Sequence, residues 1–248
     1  MRYDYYNNVT YRYYFLDFKL GDVTGDGIVD RVYLVGEKTS IEETFSDNIS
    51  IVIQDGKTNQ IIRISLEYGA GYDAKLFLGN ITNKNKMDIL VKIDTGGSGG
   101  YILTYLYSIM NGKISLLLDS DSFDDISKYS VNFLDNFNVE ILNEDDKIKF
   151  ILSVINKKEV YIKEGIYDFD GNLLKSVQGG VLSLGALYPV IENYNGLFKL
   201  LAYQRIIGIN NSDNLGAVES FLKWNGEHIE IYRVNAVISD STINDDNI

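Results

Sequence analysis

The chain has 248 residues, no cysteine and a single histidine, His228. Thiol catalysis, cysteine zinc sites and disulfide staples are thereby excluded, and so is a multi-histidine metal centre. A net charge of −12 disfavours tracking along phosphate backbones, so no nucleic acid is expected as a partner, whereas cations suit it.

Tyrosine and phenylalanine abound, at 19 and 11 residues, beside many isoleucines and valines. These residues fit a pleated, half-buried surface, and an all-β chain is expected. One proline, Pro189, and 22 glycines mean that the turns are built from Gly, Asn and Asp. The length suits a single all-β domain over 1–248, with a loose Asp/Asn/Ser-rich tail from Ser239 to Ile248. The Met1–Asn8 stretch has no apolar core of a signal peptide, and no window is apolar enough for a membrane span.

In chain order the pattern is strand, turn, strand. Tyr11 to Lys19 alternates and is aromatic. Asn48 to Gln54 and Gln60 to Leu66 flank Asp55-Gly56-Lys57-Thr58, a hairpin signal. Met87 to Ile93 and Tyr101 to Ile109 flank a glycine-rich loop, Asp94 to Gly100. Lys113 to Leu118 follows the Asn111-Gly112 turn. Ser122 to Tyr129 is the least strand-like stretch and reads as a short helical turn. Ile148 to Ile155 and Val160 to Asp168 read as paired strands. Leu197 to Ile207, Ala217 to Trp224 and His228 to Val234 complete the series.

The chain repeats itself. Gly21 to Asp30 followed by Arg31 to Val35 aligns without a gap on Gly79 to Asp88 followed by Ile89 to Ile93, 58 residues later. A fainter third copy, Ile191 to Lys199 before Leu200 to Tyr203, lies a further 111 residues on, close to two periods. A period of this size matches one four-stranded blade, so a β-propeller-like array of antiparallel sheets with four or five blades is expected.

The first copy carries chemistry. Asp22, Thr24, Asp26, Ile28 and Asp30 fall at positions 1, 3, 5, 7 and 9 of a loop with Gly27 at its bend. Calcium takes six to eight oxygens, which such a loop can supply from side chains and the Ile28 carbonyl. No Glu stands at position 12, where Tyr33 sits, so the loop is not an EF-hand. A plain Asp/Gly turn with no ion is the alternative. In the second copy Asn80, Thr82 and Asp88 keep ligand positions. Lys84 replaces the carboxylate at position 5, and its ammonium is expected to pair with Asp88. The third copy keeps Asn193 and Asn195.

The Asp22–Asp30 motif resembles the opening loop of the FG-GAP/VCBS repeat family. Phe18 to Gly36, Leu78 to Ser108 and Gly180 to Trp224 carry the wider resemblance. It implies a propeller-like fold and a non-catalytic, calcium-binding interaction module. The implied ligand is a protein or glycan, at a cell or spore surface; without that resemblance the chain reads as cytoplasmic. Two other classes stay open. One is an enzyme acting on polysaccharide or peptidoglycan through carboxylates that no spacing singles out. The other is a self-assembling surface protein.

The remaining candidates are plainer. Asp94 to Gly100 lacks the Gly-Lys-Ser/Thr of a phosphate loop and reads as a hairpin loop. Asp119, Asp121, Asp124 and Asp125 form an acidic run, read as a solvated loop or a second cation site. Tyr101, Tyr105 and Tyr107, and likewise Tyr11, Tyr13 and Phe15, alternate on one face. Such stripes read as sheet packing or as a stacking surface for sugars. His228 reads as a surface histidine.

Overall fold

The computed structural model describes residues 12–143, 145, 147–192 and 196–238. The tail at Ser239–Ile248, with Tyr11, Asn193 and Asn195, lies outside the described residues.

Strands dominate, as the aromatic and β-branched composition requires. A first meander comprises β1 (Arg12–Gly21), β2 (Asp30–Lys38), β3 (Phe45–Gln54) and β4 (Ile61–Ser65). A second comprises β5 (Gly71–Gly79), β6 (Asp88–Asp94), β7 (Ile102–Met110) and β8 (Lys113–Asp119). Then come α1 (Ser120–Ile126) and a third meander of β9 (Ser130–Leu134), β10 (Asn138–Asn143) and β11 (Ile148–Ser153). A 3-10 turn leads into α2 (Lys158–Lys163). After β12 (Gly180–Val181), the last meander is β13 (Ala186–Val190), β14 (Lys199–Ile207), β15 (Asn214–Trp224) and β16 (Ile229–Ile238).

All the strand pairs are antiparallel. The first two meanders are not separate blades. Their strands make one eight-stranded sheet, because β3 pairs with β4 through its second half and with β5 through Phe45↔Tyr72 and Ser46↔Gly71. A three-stranded and a five-stranded sheet complete the set. The sheets do not establish a closed ring of blades or a blade number.

Two compact units divide the chain. One is 1–119 with 191–198 and 226–228, and the other holds the remainder. The first is cored by Val32, Leu34, Ile51, Ile53, Val91 and Tyr105 among others, the second by Phe133, Val139, Tyr161, Tyr167 and Val218 among others. Alternation on β3 and β6 delivers these side chains to one face.

Two local expectations are modified. The helical turn is present as α1, beginning two residues earlier than expected. The strand expected from Val160 is instead α2 and a turn. Tyr161 decides this: it is fully buried against Phe133, with its hydroxyl donating to Asp213 at 2.8 Å. Tertiary burial overrides the β-propensity of Val-Tyr-Ile.

Candidate functional site

The loop between β1 and β2 is organised by its two end carboxylates. Asp22 Oδ1 accepts from the backbone N–H of Gly25 at 2.7 Å and of Asp26 at 3.2 Å, and Oδ2 accepts from Gly27 at 2.8 Å. Gly25 and Gly27 take φ of +80° and +85°, which glycine adopts without strain. Asp30 is fully buried. Its Oδ2 accepts from Val23 at 2.9 Å and Thr24 at 3.0 Å, and its Oδ1 from Gly56 at 2.9 Å. Each bond to a charged acceptor contributes about 1.5–3 kcal/mol, which offsets the cost of burying the charge.

The loop between β5 and β6 repeats this design. Asp88 is also fully buried, and its Oδ2 accepts from Ile81 at 3.0 Å and Thr82 at 2.6 Å. These donors stand 58 residues after Val23 and Thr24. Where Asp22 gathers N–H groups, Asn80 Nδ2 donates to the carbonyls of Asn83, Lys84 and Lys86. The lysine paired with Asp88 is Lys86, not Lys84: its ammonium lies 2.9 Å from Asp88 Oδ1 and also bonds Ser108 Oγ. Lys84 points to solvent. Lys86 lies in the bend just before β6, which begins at Asp88, while Lys84 falls in the preceding turn.

Successive loops touch in the same register. Met87 N–H donates to the Asp22 carbonyl at 2.8 Å, and Phe198 N–H donates to the Asn80 carbonyl at 2.8 Å. The glycine before each acceptor makes room for the incoming side chain. A Cβ on Gly21 would lie 2.6 Å from Met87 Sδ, and one on Gly79 would lie 3.0 Å from the Phe198 ring. Phe198 of the third copy thus makes the contact that Met87 makes in the second.

In the Asp22–Asp30 loop the carboxylates are engaged with backbone amides. Among the described residues no group of three or more His, Cys, Asp or Glu is gathered to hold a metal. Asp22 and Asp30 aim their oxygens at backbone amides. Thr24 Oγ1 lies 3.5 Å from Asp22 Oδ1, Asp26 Oδ1 accepts from Ile28 N–H, and Asp26 Oδ2 faces Lys57 at 3.9 Å.

A different feature of this unit has the shape of a binding site. A cleft of about 430 Å³ is lined by Phe15 of β1, Ile41, Glu42 and Glu43 after β2, and Tyr72 and Lys75 of β5. Phe15 is 77% exposed and Ile41 73% exposed, an apolar display that core packing does not explain. The Thr39 hydroxyl and N–H, each 2.7 Å from Glu43 Oε2, hold that carboxyl below the usual range. Glu42 is lowered too, by its own backbone N–H and by Ser40. Asp73 sits at the cleft in a left-handed conformation, φ +43°, within a β-bulge between Tyr72 and Lys75. Bulges re-aim side chains, and backbone strain of this kind clusters at functional sites.

The glycine-rich loop serves this cleft. A Cβ on Gly96 would stand 2.8 Å from Tyr72 Cε2, so the Tyr72 ring lies flush on a bare peptide. Tyr72 also meets Phe45 edge-on at 5.3 Å. Of the aromatic stripes, Tyr105 and Tyr107 are core residues, whereas Tyr13 and Phe15 are exposed. His228 is exposed. The sequence pattern marked Phe15 but missed Ile41, Glu42, Glu43 and Tyr72, which only the fold brings together.

The profile of the YybI C-terminal domain matches residues 127–237. The uncharacterized protein YybI of Bacillus subtilis (strain 168) is 39% identical over 223 residues, covering 90% of this chain and 84% of the relative. The chain belongs to the YybI family. No solved structure matches. The expected membership of the FG-GAP/VCBS family is corrected by these matches, which indicate YybI and not that family. The Asp-rich corner that carried the resemblance also meets the needs of a hydrogen-bonded turn, so it does not discriminate between YybI and the repeat family.

Proposed function

We propose that this chain is a non-catalytic interaction module that binds a glycan in the cleft between β1 and β5. The observation that carries the reading is the exposed Phe15 and Tyr72 on a cleft where the Glu42 and Glu43 carboxyls are held below their usual range. Sugar rings offer apolar C–H faces to aromatic side chains and hydroxyl donors to carboxylates. A hydrolase needs one carboxyl held protonated as a proton donor. Glu42 and Glu43 are shifted the other way, which favours binding over hydrolysis.

The Asp22–Asp30 loop is not part of the lining of this cleft, so the reading does not depend on calcium. The same reading keeps a propeller-like array of antiparallel sheets, supported by the shared loop register at Asp22–Met87 and Asn80–Phe198. No described helix is long and apolar enough to cross a membrane. Affinity electrophoresis through gels containing soluble polysaccharides tests the function. Retardation in at least one, lost in Phe15→Ala and Tyr72→Ala, is expected. Equal mobility in every gel, or turnover of a polysaccharide, contradicts it.

A further inference from the structure

We infer that the ligand of the first unit is an extended polysaccharide chain, bound over several sugar units, which leaves the cleft at Phe15 and runs along the outer face of β1 and β2. The inference rests on the glycan reading and names the form of glycan that the site takes.

One irregularity in β1 builds the lane. Phe15 pairs with Val35 and Asp17 with Leu34, so Leu16 is an extra residue in the ladder. In a plain strand Phe15 and Phe18, three residues apart, would point to opposite faces. The bulge returns Phe18 to the side of Phe15 and leaves Leu16 packed against the core. Both rings meet Tyr33 of β2, with centroids 5.5 Å away for Phe15 and 4.9 Å for Phe18. Leu20 continues the line opposite Arg31. Phe15 is 77% exposed, Phe18 43% and Leu20 58%. The solvent-facing side of an antiparallel sheet is ordinarily polar, and a contiguous apolar strip there marks a binding surface.

The dimensions of the strip select its occupant. The partners of Phe15 and Leu20 are Val35 and Arg31, so the strip is roughly 14 Å long at the usual strand rise. At two strands' width it covers on the order of 150 Å². Each side of a stable protein interface buries about 800 Å². Charged groups close both ends. Arg31 stands beside Leu20, and beyond Phe15 the Arg63 guanidinium covers the Tyr13 ring at 4.6 Å. The strip is thus too small for a folded partner or a second copy of this chain, and a slender polymer fits it. A pyranose ring is close to a phenyl ring in size and lays its C–H face on aromatic side chains, so the lane faces several consecutive sugar units. Phe15 belongs to both the cleft lining and the lane, and it joins them.

Titration calorimetry on the full chain with paired oligosaccharides tests this. The pairs are cellobiose and cellohexaose, xylobiose and xylohexaose, and chitobiose and chitohexaose. In a pair that binds, the hexasaccharide should bind about tenfold more tightly than the disaccharide, or better, through its added apolar contacts. Phe18→Ala and, separately, Leu20→Ser should remove that gain and leave the disaccharide unaltered. Phe15→Ala should weaken both, with unchanged circular dichroism spectra as the control for folding. Equal affinity at the two lengths, both lost in Phe15→Ala, overturns the lane and leaves the glycan reading standing. A gain that survives Phe18→Ala and Leu20→Ser does the same. A dimer in sedimentation that Phe18→Ala dissociates assigns the strip to a second copy and overturns the inference too. No binding in any pair overturns it, and retardation in the polysaccharide gels then decides the glycan reading separately.

Discussion

Lys86 lends its ammonium to Asp88 inside the second repeat, 2.9 Å from Oδ1, with the two side chains 12% and 0% exposed. The equivalent position in the first repeat is Ile28, and there Asp30 Oδ1 takes the Gly56 N–H instead. One buried carboxylate has thus been compensated in two ways within one chain. Breaking a buried pair leaves a charge uncompensated, at a cost of about 3–5 kcal/mol. Lys86→Met should therefore lower the urea midpoint markedly, whereas Lys84→Met should leave it unchanged. Equal effects would show that the buried cation is misassigned.

Calcium offers a second test. A ligand at a hundredfold excess over its Kd would stabilise the fold by about 2.7 kcal/mol, or about 5 °C or more in Tm for a chain of this size. With Asp22 and Asp30 given over to amides, chelator-stripped and calcium-loaded protein should melt together. A rise with calcium that disappears in Asp26→Ala would make the loop a metal centre.

Gly96 is predicted to position Tyr72. Gly96→Ala places a methyl against the ring and demands a side chain at φ +75°. Glycan retention should weaken while the fold persists. Gly97→Ala is the control, for its Cβ would meet nothing within 4 Å at a similar φ of +83°. If both variants retain glycan equally, Tyr72 is not held by this loop.

Asp124 should give a pH signature. Burial holds its folded-state pKa above the reference value of 3.8. The stability it contributes is complete below that reference and is lost as pH rises through the folded value. Asp124→Asn should match the parent near pH 3 and be the more stable of the two at neutral pH. Urea midpoints across that range check this, and a variant less stable at pH 7 would contradict it.

Much of this fold was legible in the residues. The 58-residue repeat predicted the matched loops, and Asp55-Gly56 predicted the β3–β4 hairpin. The register of loop contacts at Met87 and Phe198 follows from the same alignment. The function of the corner was less legible, because an Asp-x-Thr-x-Asp-Gly-x-x-Asp run serves a metal and a cage of amides equally well. Nothing in sequence spacing separated Lys84 from Lys86, since both stand an even number of residues before Asp88 and only the fold shows the turn at Lys84 that leaves it exposed. The Phe15–Tyr72 cleft was illegible for another reason: it joins β1 to β5 across more than fifty residues, and its bulge at Asp73 leaves no compositional mark.

The central claim is that the cleft of the first unit binds a glycan without cleaving it. Affinity electrophoresis of the parent chain beside Phe15→Ala in polysaccharide gels, with reducing ends assayed in the same samples, tests it most directly. Retardation of the parent, its loss in Phe15→Ala and no new reducing ends are the predicted result. Retardation that survives Phe15→Ala, or reducing ends that accumulate with time, would contradict it.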